Sequence, residues 1–115
     1  MKVASGSVAA LKQEYARLCQ GLARIGYISQ GSVQERTVAA SGRSGYQWTR
    51  KVGGKTVSVA LSPEQFAAMQ EAVANERTVW RTVHKMEQIS RQIIFQTSPD
   101  TRRRKRLSKK RLGLN

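Results

Sequence analysis

The sequence predicts an α+β fold, with an N-terminal helix, a three-stranded antiparallel meander, a long C-terminal helix and a disordered basic tail. Two observations predict it. Apolar residues recur every three or four positions near both ends of the body, which is the helical period, and every second position between them, which is the period of strands. A block of basic residues then closes the chain, and such blocks repel themselves and remain disordered.

The length of 115 residues fits one small domain and leaves little room for a second. Ser98-Pro99-Asp100 combines a helix stop with a turn start, since the residue before a proline avoids the helical conformation. We therefore expect residues 1–98 to form a single α+β domain and residues 99–115 to form the tail.

The first helix is predicted from a stripe of apolar residues spaced three and four apart. Ser5 or Ser7 can cap its first turn, and Gly26 can end it in a left-handed conformation. Cys19 lies beside the stripe and is expected to be a small buried or half-buried residue. The stripe itself consists of Val8, Leu11, Tyr15, Leu18, Leu22 and Ile25.

Three segments rich in β-forming residues follow, at 32–38, 46–52 and 55–61. Gly53-Gly54 separates the second from the third, and it predicts a tight hairpin because both central positions of a primed turn need positive φ. The register of the strands decides which side chains point inward. The candidates for the buried face are Tyr46, Trp48, Val57 and Val59.

Ser62-Pro63-Glu64-Gln65 starts the second helix, with Ser62 as the cap, Pro63 at the first helical position and Gln65 completing a capping box. No glycine or proline interrupts the chain from there to about Gln96, which corresponds to a helix of about 50 Å. Glu76 interrupts the apolar stripe, so we expect a bend or a change of the packed face near it.

The first helix, at about 27 Å, is expected to be too short to cover the C-terminal half of this helix. Several apolar residues of that half are therefore left without a partner. An exposed apolar patch of this kind marks an interface, and the simplest closure is a two-fold pair. The sequence thus predicts a homodimer, with the alternative that the first helix buries the same residues within the monomer. The residues concerned are Met86, Ile89, Ile93, Ile94 and Phe95.

The charge of the chain is strongly positive, with 21 Lys and Arg against 7 Asp and Glu and a formal net charge of +14. Such a surplus favours a polyanionic partner, nucleic acid first. More than half of it lies in the last fifteen residues, which contain no carboxylate side chain. The basic residues of this tail are Arg102, Arg103, Arg104, Lys105, Arg106, Lys109, Lys110 and Arg111.

Arg50, Lys51 and Lys55 form a second basic group around the hairpin, and Trp48 lies beside it. Trp48 and Trp80 can each stack on bases, but residues of this kind are more often core anchors in a small domain. Trp48 is the better candidate for binding, because a strand that carries Arg50 and Lys51 can present it beside phosphates.

The sequence argues against several other classes. One cysteine and one histidine, Cys19 and His84, exclude an internal disulfide and a Cys-rich or His-rich metal site, and we expect neither metal nor cofactor. The carboxylates show no catalytic grouping and no nucleotide-binding loop is present, which argues against an enzyme. The chain lacks a membrane span and the long apolar run of a secretory signal, so we expect a cytoplasmic protein without membrane contact.

Part of the sequence resembles a family of small, uncharacterised bacterial proteins that are encoded in or beside transposons and other mobile elements. The resemblance covers about residues 31–95, and its most specific part is the Gly53-Gly54-Lys55-Thr56 hairpin followed by the capped helix. Many members carry a cysteine cluster between the first two strands, where this chain has Val38 to Gly45 and no cysteine. The resemblance implies a mobile-element setting and no established activity, and metal binding does not carry over.

These observations lead to a non-enzymatic accessory protein that binds nucleic acid, DNA in preference to RNA, and that belongs to a transposon or another mobile element. The basic tail and the hairpin cations are expected to contact phosphates without reading sequence. The alternative is a protein-interaction adaptor that binds an acidic partner such as a transposase, and a weaker one is a degenerate enzyme subunit. DNA and RNA, and the individual partner, stay open at this point.

Overall fold

The computed structural model describes residues 6–38, 43–98 and 107–114. In chain order they form α1 (Val8–Arg24), β1 (Ser32–Val38), β2 (Arg43–Val52), β3 (Lys55–Leu61), α2 (Pro63–Thr97) and α3 (Lys109–Leu112). The predicted α+β fold of an N-terminal helix, a three-stranded meander and a long helix is confirmed. The chain forms two compact units, which we call the sheet unit (Ile25–Val79) and the helical unit (Met1–Arg24 with Trp80–Asn115).

Helix α1 begins where the sequence predicts, because the Ser7 hydroxyl accepts a hydrogen bond from the Ala10 amide at 3.0 Å. Leu11 of its apolar stripe is buried. The helix ends at Arg24, and Gly26 does not take the left-handed conformation predicted for it. Cys19 is exposed, so its predicted burial is wrong, since one position along a helix turns a side chain by about 100° away from the stripe.

The sheet has the order β1-β2-β3, and both pairs are antiparallel. Gly53 and Gly54 close the predicted hairpin with φ of 55° and 82°. The register pairs Trp48 with Val59 and with Val33, and so the predicted residues Tyr46, Trp48, Val57 and Val59 share one face. Val57 and Val59 are nevertheless 37% and 43% exposed, which contradicts their predicted burial. They lie on the edge strand, whereas the contact with α2 is made by Tyr46, whose ring centroid is 4.4 Å from that of Phe66.

Helix α2 starts with the predicted capping box. The Gln65 amide donates to the Ser62 hydroxyl at 3.1 Å, and the Ser62 amide donates to the Gln65 side-chain oxygen at 2.9 Å. Ala72 and Val73 are the buried α2 residues of the sheet unit. Trp80 follows Val73 by seven residues and therefore lies on about the same side of the helix, yet it is 61% exposed. The predicted change of packed face therefore occurs between these two residues.

Residues 25–30 connect α1 to β1 and are tied to their surroundings by main-chain hydrogen bonds. The Asn75 side-chain amide donates to the Tyr27 carbonyl at 3.0 Å, and the Ser29 amide donates to the Ala72 carbonyl at 3.1 Å. The Trp48 indole N–H donates to the Gln30 carbonyl at 2.9 Å. These bonds hold the backbone of residues 27–30 along α2 and β2. The helical conformation therefore ends at Arg24, before Gly26, and Gly26 does not form a left-handed cap.

In the helical unit, Leu11 of α1 and Ile89 of α2 are buried, and Lys85 forms an ion pair with Glu14 at 4.0 Å. Ile89 is only 1% exposed within the single chain. Its assignment to a helix surface without an intrachain partner is therefore wrong, because the length of α1 alone does not determine which residues of α2 the rest of the chain covers. Met86 and Ile93 are half-buried, and Ile94 and Phe95 are exposed. The homodimer stays a prediction.

Residues 107–114 lie in the tail for which the sequence predicts disorder, and they form one helical turn, α3. The Arg111 amide donates to the Ser108 hydroxyl at 3.2 Å, which caps its start. Gly113, with φ of 72°, closes its end, since the amides of Gly113 and Leu114 donate to the carbonyls of Lys110 and Lys109. The predicted disorder is therefore wrong for these residues, because the Ser108 and Gly113 caps satisfy the backbone groups at both ends of the turn.

Candidate nucleic-acid interface

The three hairpin cations do not lie on one surface. Arg50 is paired with Val57 and Lys55 with Val52, and both cations share the face of Trp48. Lys51 is paired with Thr56, and therefore points to the opposite face. The sequence prediction grouped the three by their closeness along the chain, whereas the two-residue period of a strand separates Lys51 from the others.

Trp48 is held in place from two sides. Its indole N–H donates to the Gln30 carbonyl at 2.9 Å, and its side chain is half-buried. Gly31, with φ of 110°, leaves the space that the ring occupies: a Cβ at this position would lie 2.5 Å from Trp48 Nε1 and 2.5 Å from the Thr49 carbonyl oxygen. A larger residue at position 31 would thus collide with the ring and with the backbone of β2.

Arg50 extends over the ring of Trp48, with its guanidinium carbon 5.6 Å from the ring centroid. This is a cation–π arrangement, in which the guanidinium is attracted to the electron-rich face of the indole. The base-stacking role considered for Trp48 stays a prediction, and the structure shows two other roles. Trp48 anchors the 25–30 connection, and it supports a cation at the surface.

The tail cations divide into two groups. Arg102, Arg103, Arg104, Lys105 and Arg106 lie outside the described residues. Lys109, Lys110 and Arg111 make up most of α3 and are all exposed. Basic side chains in the last turn of a helix are favoured by its dipole, because the C-terminal carbonyls carry partial negative charge.

Arg91 of α2 extends the positive surface of α3, and the sequence analysis did not single it out. Its guanidinium nitrogen lies 3.0 Å from where a Cβ of Gly113 would stand. Arg91 also forms an ion pair with Glu87 at 3.9 Å, so part of its charge is neutralised. The glycine at position 113 is the sequence signal for this approach, since it is the residue type that permits both the left-handed cap and a close neighbour.

Among the described residues, no carboxylate forms an ion pair with the candidate cations of the hairpin and of α3. Within residues 6–38, 43–98 and 107–114, none of Arg50, Lys51, Lys55 or the three basic residues of α3 forms an ion pair. The carboxylates of Glu14 and Glu87 pair instead with side chains of α2. Exposed and unneutralised cations are the groups with which proteins contact phosphates.

Tyr27 and Trp80 are the two most exposed aromatic residues of the described chain, and both lie outside the predicted site. Tyr27 is 93% exposed although its own carbonyl is held by Asn75. Trp80, which was expected in the core, borders an open concavity of about 500 Å³ that is also lined by Arg81, Val83, His84 and Glu87. An apolar position in the helical period predicts burial only where another element covers it, so the sequence could not identify Trp80 as exposed.

Metal ligands do not come together in the described part of the chain, where no three His, Cys, Asp or Glu side chains could share an ion. None of its helices is both long and apolar enough to cross a membrane. Comparisons with models of protein families, with curated proteins and with solved structures found no match for this chain.

Proposed function

We propose that the protein is a non-enzymatic accessory protein that binds nucleic acid through its hairpin and its basic tail. The observation that supports this proposal is a set of cations at the hairpin and on α3 that form no ion pair among the described residues, in a chain of net charge +14. All of them are exposed except Arg50, which is half-buried. Contacts of this kind position a protein on phosphates without specifying a sequence. A mobile-element setting and a location in the cytoplasm belong to the proposal, and the first is supported by the sequence resemblance alone.

The salt dependence of binding tests this proposal. Each phosphate that the protein neutralises on duplex DNA adds about −0.9 to the slope of log affinity against log salt, and we expect a slope of roughly −4 to −7 for the full chain. Fluorescence anisotropy with labelled duplex DNA, single-stranded DNA and structured RNA measures it. A protein that binds none of the three, or that binds with a slope near zero, contradicts the proposal.

A triple variant tests the contribution of α3. Lys109, Lys110 and Arg111 are changed together to Gln, which preserves helix propensity, and the slope is expected to become shallower by roughly 2 to 3. The matched control changes Lys12, Arg17 and Arg24 to Gln. These residues are exposed on α1, and the three substitutions remove the same amount of charge. Equal losses in the two variants would mean that net charge, and not the position of α3, determines binding.

The second candidate function is the adaptor, and Tyr27 favours it. An aromatic side chain that is 93% exposed on a connection held by hydrogen bonds is typical of an interaction hot spot. An adaptor would bind an acidic protein, such as a transposase, and would ignore nucleic acid. The same anisotropy series separates the two functions, and a Tyr27→Ala variant should retain full nucleic-acid affinity if the first is correct.

A further inference from the structure

One face of the sheet combines positive charge with exposed apolar surface. We define the Trp48 face by the side chains that the register brings to one side of β2 and β3 near the hairpin. Tyr46, further from the hairpin on this side, packs against Phe66, whereas the valines nearer the hairpin are exposed. The Trp48 face consists of Trp48, Arg50, Val52, Lys55, Val57 and Val59.

The cations and the valines of this face are direct neighbours. Arg50 lies opposite Val57, and Lys55 lies opposite Val52, in the paired strands. Side chains directly opposite each other on antiparallel strands have their Cβ atoms only about 5 Å apart. The hairpin therefore presents alternating charged and aliphatic groups on a surface that is open to solvent.

The opposite side of the same strands has a different chemistry. Lys51 and Thr56 pair there, as do Thr49 and Ser58, and the side chains are polar. Nearer β1, Gln47 accepts a hydrogen bond from Arg36 at 3.0 Å. Polar side chains are the ordinary composition of a surface in contact with water. The Trp48 face differs because Val57 and Val59 are exposed on it, and exposed apolar side chains of this kind indicate a contact surface.

Arg50 is oriented before any partner arrives. Its guanidinium lies over Trp48, and Trp48 is fixed by the Gln30 carbonyl and by the space at Gly31. A side chain that is already ordered loses less conformational entropy on binding, and the planar guanidinium can take a phosphate through two parallel hydrogen bonds or stack on a base. A lysine at this position would supply the charge without the planar geometry.

We propose that the Trp48 face is a binding platform for single-stranded nucleic acid. Arg50 and Lys55 contact phosphates, and Val57 and Val59 contact bases. Duplex nucleic acid buries its bases by pairing and stacking, so the face of a sheet would contact only its phosphates. The valines would then make no apolar contact with bases and would not contribute to the affinity. This inference rests on the proposed function, and it names the substrate class for one part of the interface.

The experiment compares the affinities for a single-stranded oligonucleotide and for the duplex of the same sequence. Replacing Val57 and Val59 together by Thr keeps β-branched side chains on the strand and removes apolar surface. We expect the single-strand affinity to fall about fivefold and the duplex affinity to change by less than about twofold. Equal losses on the two substrates, or none on either, would overturn the platform.

Arg50→Lys provides a second, independent test that does not depend on the valines. It keeps the charge, and we expect it to weaken single-strand binding about tenfold because the stacked guanidinium is lost. The matched control is Arg17→Lys, the same substitution at an exposed position of α1 outside the proposed interface, which should leave the affinity within about twofold of the wild type. Unchanged single-strand binding by Arg50→Lys overturns the inference even if the valine variant fails to fold.

Trp48 itself reports whether the face is occupied. The chain has two tryptophans, so a Trp80→Phe background leaves Trp48 as the only source of indole fluorescence. The emission should change on addition of the single strand, and by much less on addition of the duplex. If the wild type binds duplex while Trp48 emission is insensitive to the single strand, the platform is wrong and the proposed function stands; if it binds neither, both fail.

Sedimentation of the valine variant excludes a different occupant. A second copy of the chain could pair with the exposed edge strand β3, since unpaired strand edges recruit other strands. A wild type that sediments as a dimer and a valine variant that sediments as a monomer would overturn the platform and assign the face to self-association.

Discussion

The two units of the chain are stabilised in different ways. In the helical unit, the buried residues are Leu11 of α1 and Ile89 of α2, both large apolar side chains. In the α2 part of the sheet unit the buried residues are Ala72 and Val73, which are smaller. The sheet unit compensates with hydrogen bonds to the backbone of residues 25–30, formed by the Asn75 side chain, the Ala72 carbonyl and the Trp48 indole. Directional bonds thus fix a conformation where apolar burial is small.

This difference also affects the two basic surfaces. In the sheet unit, the bonds that hold Trp48 also fix the cation that lies over it. In the helical unit, α3 is one turn that depends on its own caps, and its cations are exposed. The comparison predicts that the sheet unit is sensitive to steric and hydrogen-bond changes and the helical unit to apolar truncation.

The largest effect is expected in the core of the helical unit. Ile89→Ala removes a side chain that is 1% exposed, and such truncations cost about 2–5 kcal/mol of the free energy of unfolding. Ile94→Ala, five residues along the same helix at an exposed position, should cost less than about 1 kcal/mol. Urea unfolding measures both. If Ile89→Ala instead leaves stability intact and dissociates a dimer in sedimentation, the residue belongs to an interface.

The sheet unit is expected to fail by collision at Gly31. Gly31→Ala introduces a Cβ 2.5 Å from Trp48 Nε1 and from the Thr49 carbonyl oxygen, in a conformation that L residues rarely adopt, and we expect a loss of about 2 kcal/mol. The control is Gly21→Ala in α1, where the added Cβ meets nothing within 4 Å. It should stabilise by up to about 1 kcal/mol, because alanine favours the helix. Thermal unfolding, followed by circular dichroism, measures both variants. If both substitutions stabilised the protein, or both destabilised it, the expected difference between the two positions would be wrong.

The helix caps sharpen the comparison on a smaller scale. Ser62 takes part in a reciprocal capping box with Gln65, whereas Ser7 only accepts a bond from Ala10. Ser62→Ala should therefore cost about 1 kcal/mol, and Ser7→Ala should cost less. Chemical denaturation of the two variants in parallel measures the difference. A larger loss for Ser7→Ala would show that the directional bonds of the sheet unit are not the more important ones.

Metal removal should have no effect on either unit. The described residues bring no three metal-ligating side chains together, and the whole chain has one cysteine and one histidine. A chelator should thus leave the melting curve unchanged, since packing and hydrogen bonds supply the stability. If the purified protein contained stoichiometric zinc and unfolded when a chelator removed it, packing and hydrogen bonds would not be sufficient to stabilise the two units.

The local structure could be predicted from the sequence, because its signals act over a few residues. The capping box at Ser62, the glycine pair at Gly53 and the alternation in β2 and β3 each specify an element without any distant contact. The positive charge and its concentration near the C-terminus are likewise properties of the sequence alone. From them follow the α+β fold and the expectation of a polyanionic partner.

Which residues are buried and which face each other was decided only by the tertiary structure. The apolar period made Trp80 and Ile89 equivalent, yet one is 61% and the other 1% exposed, because burial depends on which element covers each turn of α2. The sequence placed Arg50 and Lys51 side by side, and the strand register sent them to opposite faces. The position of Arg50 over Trp48 needed Gln30 and Gly31, and this joint placement of side chain, carbonyl and open space arises only when the chain folds back on itself.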